Sequence, residues 1–153
     1  MHLVLYRAFP HVGGISHTHS TYATAFAQAR RPIPCLGTTH ADHFCGDVPV
    51  TRLLTEAEVG ADYEANTGKL IVETFAGRDP AATPAALVAG HGPVTWGRGP
   101  RGALENSVIL ESVAAAAWLT AALAGQCEPL PSYLADKHYQ RKHGLSSYYG
   151  QKS

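Results

Sequence analysis

Glycine and proline cut this chain into short pieces, and that limits it to small mixed elements. There are 15 Gly and 10 Pro among 153 residues. Pro10, Pro32, Pro34, Pro49, Pro129 and Pro131 each end or forbid a regular element, because proline lacks the donor and clashes with a preceding helical turn. Leu3, Tyr6 and Phe9 predict a helix with an apolar stripe, stopped by Pro10. No Ser, Thr, Asp or Asn stands before it as a cap. Val12 to His19 predicts a short strand, and Ser20 a cap for a helix through Tyr22 and Phe26 to Arg30. Residues 35–46 read as irregular, and Val48 to Thr51 as an edge strand. Thr55-Glu56-Ala57-Glu58 has the capping-box form, opening a helix expected to stop at Gly68. Lys69 to Phe75 fits helix or strand, with helical spacing favoured. Ala86 to Ala89 and Val94 to Trp96 predict strands joined at Gly90-His91-Gly92-Pro93. The longest helix is expected from Gly102 to Leu123, with Leu104, Val108, Leu110, Val113 and Ala117 as its apolar positions, or Leu104, Ser107 and Glu111 on the other face. Tyr133 to Lys142 predicts a last short helix. Strands and helices mix, so the class is α/β or α+β.

Composition narrows what such a chain does. Twelve Lys and Arg balance twelve Asp and Glu, which speaks against nucleic acid as a partner, since that needs a basic excess. The apolar stretch from Val113 to Leu119 reads as too short to span a bilayer, so no membrane partner is expected. Cys35, Cys45 and Cys127 are odd in number and lack C-x-x-C spacing, which fits a reduced, cytoplasmic setting better than a disulfide framework. Histidine is over-represented, with nine residues, and points to metal or acid–base chemistry.

His17-Thr18-His19 is the sharpest local signal. On a strand, residues two apart share a face, so both imidazoles can meet one divalent ion. The competing reading is a hydrogen-bonded pair at a sheet edge. His91, between two glycines at a turn, would complete a three-histidine set with an open position, the form of a catalytic zinc site. Alone, it reads as a polar turn residue. Asp42 is either a turn or cap residue or a carboxylate placed to move a proton. Glu64 and Glu73 read as solvated. The run Lys137 to His143 is a solvated basic face, favoured at a helix C-terminus, or an anion site with Arg141 as a bidentate donor. Tyr148 and Tyr149 are either a frayed tail or phenols docked into a neighbouring subunit.

Taken in order, these segments resemble the L-ribulose-5-phosphate 4-epimerases of the class II aldolase and adducin family. The resemblance runs from Tyr6-Arg7-Ala8-Phe9-Pro10 to Tyr148-Tyr149-Gly150-Gln151. The His-x-His segment and His91-Gly92-Pro93 are shared with the wider family. Thr38-Thr39-His40-Ala41-Asp42 and the Tyr-Tyr-Gly-Gln tail are narrower and point to the epimerases. The resemblance implies an α/β fold with a central, mostly antiparallel sheet flanked by helices. It implies that His17, His19 and His91 bind a divalent metal, usually zinc. Asp42 and Tyr149 would be the acid–base pair, with Tyr149 from an adjacent subunit of a homotetramer, and His138 would line the site. The implied reaction inverts C4 of the sugar phosphate by breaking and re-forming the C3–C4 bond.

The chain departs from the family at its front. The family's N-terminal strands, phosphate-binding residues and a carboxylate beside the metal have no counterpart here. Residues 1–153 therefore read as an N-terminally truncated domain, with a C-terminal helix and tail at 131–153. An inactive fragment is one expectation for the chain alone. A sugar-phosphate aldolase and a non-enzymatic, adducin-like interaction module are the alternatives.

Overall fold

The computed structural model describes residues 1–144 together with 147 and 148. Its elements are α1 (His2–Ala8), β1 (Gly14–His17), α2 (Thr21–Ala29), α3 (Thr38–Ala41), α4 (Glu56–Thr74), β2 (Ala85–Val88), β3 (Gly92–Gly97), α5 (Pro100–Ala124) and α6 (Ser132–His143). The strands form one antiparallel sheet in the order β1-β3-β2. Residue alternation along the strands feeds two cores. Ala85 and Leu87 face α2 and α5, with Ala23, Ala27, Leu110, Val113 and Ala114. Ala86, Val88, Val94 and Trp96 face α1 and α4, with Leu5, Phe9, Ile71 and Phe75. Phe9, Phe75 and Trp96 pack edge-on or tilted, with ring centroids 5.2 to 5.7 Å apart, and the Trp96 indole donates to the Pro80 carbonyl at 2.7 Å.

The longest helix lies where its pattern predicts, and the expected Leu110, Val113 and Ala117 are buried, but two of its expected apolar positions are not. Leu104 and Val108 are 60% and 62% exposed, while Ala103, Ser107, Leu110, Val113, Ala114 and Ala117 face the protein. The reason is the narrow gap to the sheet. A Cβ on Gly97 would stand 2.7 Å from the Gly102 carbonyl carbon and 2.8 Å from the Ala103 nitrogen. Only small side chains fit at that end, and Leu104 and Val108 point away from it. Thr95 fills the remaining space in polar fashion, donating to the Ala103 carbonyl and meeting Ser107 Oγ at 2.6 Å. By length and composition α5 could cross a membrane, with a mean hydropathy of 1.7. Here it packs on β3, β1 and α2.

Four other expectations are corrected. In α1 the buried side chain is Leu5, with Phe9 just beyond the helix, while Leu3 and Tyr6 are largely exposed. Residues 35–46 hold the single-turn helix α3 rather than only irregular chain. Residues 48–51 form no strand: Val48 bridges Ile33, and Val50 bridges Leu87. The helix opened by the Thr55–Glu58 capping box, which is present, does not stop at Gly68. It continues to Thr74, and takes up Leu70 and Ile71 as core residues. Gly68 is there for close approach: a Cβ would meet Val4 Cβ at 2.8 Å and the Met1 carbonyl at 2.9 Å.

That contact gives a direct test of how α1 is held. Gly68→Ala forces α1 off α4, and overpacking of this kind costs about 1–3 kcal/mol. Helix propensity alone would make alanine the better residue. The expected outcome is a lower melting temperature, measured by circular dichroism. A rise would show that the α1–α4 contact has room to give.

Candidate metal centre and acid–base cluster

Three imidazoles converge at one end of the sheet. His17 closes β1 opposite Val94. His91 sits in the β2–β3 turn, where Gly90 takes a φ of 73°, a conformation glycine adopts at no steric cost. The expectation that His19 shares a strand face with His17 is corrected: β1 ends at His17, and His19 follows in the link to α2. The chain turns there because the Thr18 N–H donates to the Pro93 carbonyl and Ser20 begins the next helix. The three rings nevertheless meet. His17 Nε2 is 3.2 Å from both His91 Nε2 and His19 Nε2, and one ligand nitrogen from each lies within 4.8 Å of the others.

The donor chemistry suits a cation. His17 Nδ1 donates to the Pro93 carbonyl at 2.9 Å, which leaves a lone pair on Nε2 facing the other two rings. His91 Nδ1 meets the Tyr63 hydroxyl at 3.1 Å. Burial, and then the charges of His17 and His19, hold His91 below its ordinary pKa, so it stays in the neutral, ligating form. Three imidazoles pointing their nitrogens at one spot fit a divalent ion with an open position. An open trough lined by Leu53, Val59 and Tyr63 leads to His91.

Tyr63 was not visible as a site residue in the sequence. It reaches His91 because α4 is broken at Asp62, whose φ of −137° and ψ of 80° are not helical. Asp62 Oδ1 then accepts from the Ala65 N–H and starts the second segment. An Asp followed by an aromatic residue inside an apparent helix is the only local trace of this.

A second cluster gathers around Asp42, at the end of α3. Arg141 donates to Asp42 through Nε and Nη2, with three contacts of 2.8 to 3.1 Å. His138 Nδ1 lies 3.0 Å from Asp42 Oδ1, Lys142 Nζ lies 3.9 Å from Oδ2, and the His143 ring donates to the Asp42 carbonyl. Residues 138, 141 and 142 share one face of α6, so the carboxylate docks α6 on α3. Burial alone would raise the Asp42 pKa; the hydrogen bonds from Arg141 and His138 outweigh it and the net shift is downward. Arg141 is the bidentate donor its residue type suggests, and its acceptor here is Asp42. No hydrogen bond or ion pair among the described residues joins this cluster to the three histidines. Glu73 is paired with Arg52, and Glu64 is exposed. Tyr149 lies outside the described residues; Tyr148 donates its N–H to the Arg141 carbonyl.

A profile of the Class II Aldolase and Adducin N-terminal domain matches residues 1–118. The chain belongs to the class II aldolase and adducin family. Over 151 residues it is 51% identical to the L-ribulose-5-phosphate 4-epimerase UlaF of Salmonella paratyphi B (strain ATCC BAA-1250 / SPB7), covering 99% of this chain and 66% of that protein. Among solved structures it is similar to an L-fuculose 1-phosphate aldolase, with a TM-score of 0.71, 25% identity, and coverage of 92% of this chain and 60% of that one. The L-fuculose 1-phosphate aldolase of Glaciozyma antarctica PI12 shares the fold at a TM-score of 0.66 and 22% identity, over 92% of this chain and 48% of that one. The chain thus spans between about half and just under two thirds of the length of these relatives. The expected family and its α/β fold with an antiparallel sheet flanked by helices are borne out.

The Asp42 cluster makes a pH prediction. A carboxylate with a lowered folded pKa adds stability that is complete above its ordinary value of 3.8 and is lost as pH falls through the folded value. Asp42→Asn removes that dependence. It also loses charge-assisted hydrogen bonds, for a cost on the order of 2 kcal/mol at neutral pH. Hydrogen exchange of α6 checks this: its amides are expected to exchange faster in the variant at pH 7, with the difference narrowing in acid.

Proposed function

We propose that this chain is the metal-binding and acid–base portion of an L-ribulose-5-phosphate 4-epimerase, which interconverts L-ribulose 5-phosphate and D-xylulose 5-phosphate in cytoplasmic pentose catabolism. The observation that carries the reading is the convergence of His17, His19 and His91 in a chain with 51% identity to a protein of that name. A divalent ion held by these histidines, zinc in our reading, would supply Lewis acidity to the oxygens of the substrate.

The chain's own groups would handle the protons. Asp42, kept ionised by Arg141 and His138, is ready to accept the C4 hydroxyl proton on one face. Tyr149 of an adjacent subunit would serve the opposite face, and inversion needs a proton donor or acceptor on each side. His138 steadies the Asp42 carboxylate, and the cationic surroundings from Arg141 and Lys142 suit a phosphorylated substrate.

A homotetramer is part of this proposal, because Asp42 and the histidines form separate clusters within one chain. Assembly is supported by the uncovered apolar face of α5, where Leu104, Val108, Leu119 and Leu123 are exposed at helical spacing. Sedimentation of the purified chain should show a species larger than a monomer, and Leu104→Glu combined with Val108→Glu should dissociate it. A monomer at all concentrations would remove the cross-subunit role of Tyr149.

The activity test compares the chain alone with the chain joined to the segment of the Salmonella epimerase that it does not cover. The joined protein should convert L-ribulose 5-phosphate, lose that activity in chelator, and lose it again in Asp42→Asn. The chain alone should turn over far more slowly. A folded, zinc-loaded joined protein that instead cleaves a ketose 1-phosphate would replace the epimerase reading with an aldolase one.

A further inference from the structure

We infer that Glu111 of α5 is a positioning residue for the metal site, holding His19 in place by capping α2 across the fold. The inference rests on the metal reading of His17, His19 and His91, and adds a residue outside that set.

The three histidines are not held alike. His17 is fixed by strand pairing to Val94 and by its Nδ1 hydrogen bond to Pro93. His91 is fixed in a tight turn, its N–H on the Val88 carbonyl, with Tyr63 at its ring. His19 is exposed, and among the described residues its ring makes one hydrogen-bond contact, Nε2 to His17 Nε2. That is the contact a metal would replace. Among the described residues no other side chain hydrogen-bonds the ring, so the backbone on either side must set its place. On one side, Thr18 is tied to Pro93. On the other, α2 begins one residue later.

The start of α2 is where Glu111 acts. Ser20 occupies the cap position with an extended φ of −60° and ψ of 139°, yet its side chain makes no capping bond. Its buried Oγ has no hydrogen-bond partner, and neither has Thr24 Oγ1. The expectation that Ser20 caps the helix is therefore corrected. The orphan N–H groups of Tyr22 and Ala23 instead donate to Glu111 Oε1 at 2.8 Å and Oε2 at 3.0 Å. A carboxylate at this end also meets the positive pole of the helix dipole. The cap thus comes from α5, 88 residues away along the chain, and ties the His19 link to the rigid sheet layer. The link has little slack: a Cβ on Gly92 would stand 2.9 Å from the Thr18 carbonyl and 3.2 Å from His19 Cδ2. A shift of α2 would therefore be passed to His19.

The test is zinc affinity of the full chain, by competition with a chromogenic chelator, beside thermal melting in the metal-free state. Wild type should bind zinc. Glu111→Ala should bind about 10-fold more weakly or worse, the size of effect that outer-shell partners have on metal sites, under conditions where circular dichroism shows it folded. Adding Ser20→Asp, which supplies a cap within α2 itself, should recover most of that loss. Phe75→Leu, a truncation in the core on the other side of the sheet, should lower the melting temperature and leave affinity unchanged. Where the alanine variant does not fold, Glu111→Gln, which keeps one acceptor and the side-chain volume, should show a smaller loss that Ser20→Asp also relieves. Wild-type affinity in folded Glu111→Ala or Glu111→Gln would overturn the inference and leave the metal reading standing. Absence of zinc binding in wild type would overturn the metal reading itself, and this inference with it.

Discussion

The close seating of α5 on the β1–β3 pair is the contact on which the rest of the molecule depends. It is made possible by what is missing: Gly97 and Gly102 leave no side chain between helix and strand, and the helix presents Ala103, Ala114 and Ala117 to the protein. Backbones packed this tightly transmit position faithfully, since dense interiors give little room to relax. From that base α5 extends Glu111 to the start of α2, and β3 extends Pro93, whose carbonyl receives both the His17 ring and the Thr18 N–H. The three-histidine convergence is thus built from a strand end, the link that enters α2 and a turn, each referred to the same rigid layer.

The two clusters of polar residues have different mechanical characters. The histidines stand at the rim of the sheet, with ring positions set mainly by backbone geometry. Asp42 joins two short helices, and its cluster is a side-chain ion pair that titrates. Among the described residues no hydrogen bond or ion pair joins the two, in keeping with the proposed completion of the site by another subunit. The exposed apolar residues of α5 supply a physical reason for subunits to meet, because burying large apolar surface is the main driving force for association.

What could be read from the sequence follows from how local each signal is. The capping box at Thr55 and the turn glycines around His91 need only neighbours a few residues away, and each appears in its expected place; the His-x-His rings converge, but with His19 beyond the end of β1. Apolar periodicity marks large side chains, so it picks out Leu110 and Val113, which are buried, but also Leu3, Tyr6, Leu104 and Val108, which are exposed where Gly68, Gly97 and alanines govern the close contacts. Helix α4 overran Gly68 for the same reason: a glycine chosen for close packing has the same letter as one chosen to end a helix. Tyr63 and Glu111 were illegible as site residues because their partners lie 28 and 89 positions away and only the fold brings them together. The roles proposed for Asp42 and His138 rest on family resemblance, since local pattern leaves them open.

The central claim is that His17, His19 and His91 form one metal centre. X-ray absorption of the zinc-loaded chain tests it most directly. The account predicts one zinc per chain with three imidazole nitrogens at about 2.0–2.1 Å and no sulfur, and loss of that signature in His91→Ala. A sulfur shell near about 2.3 Å, which would implicate the free thiols of Cys35, Cys45 or Cys127, or a spectrum unchanged in His91→Ala, would contradict it.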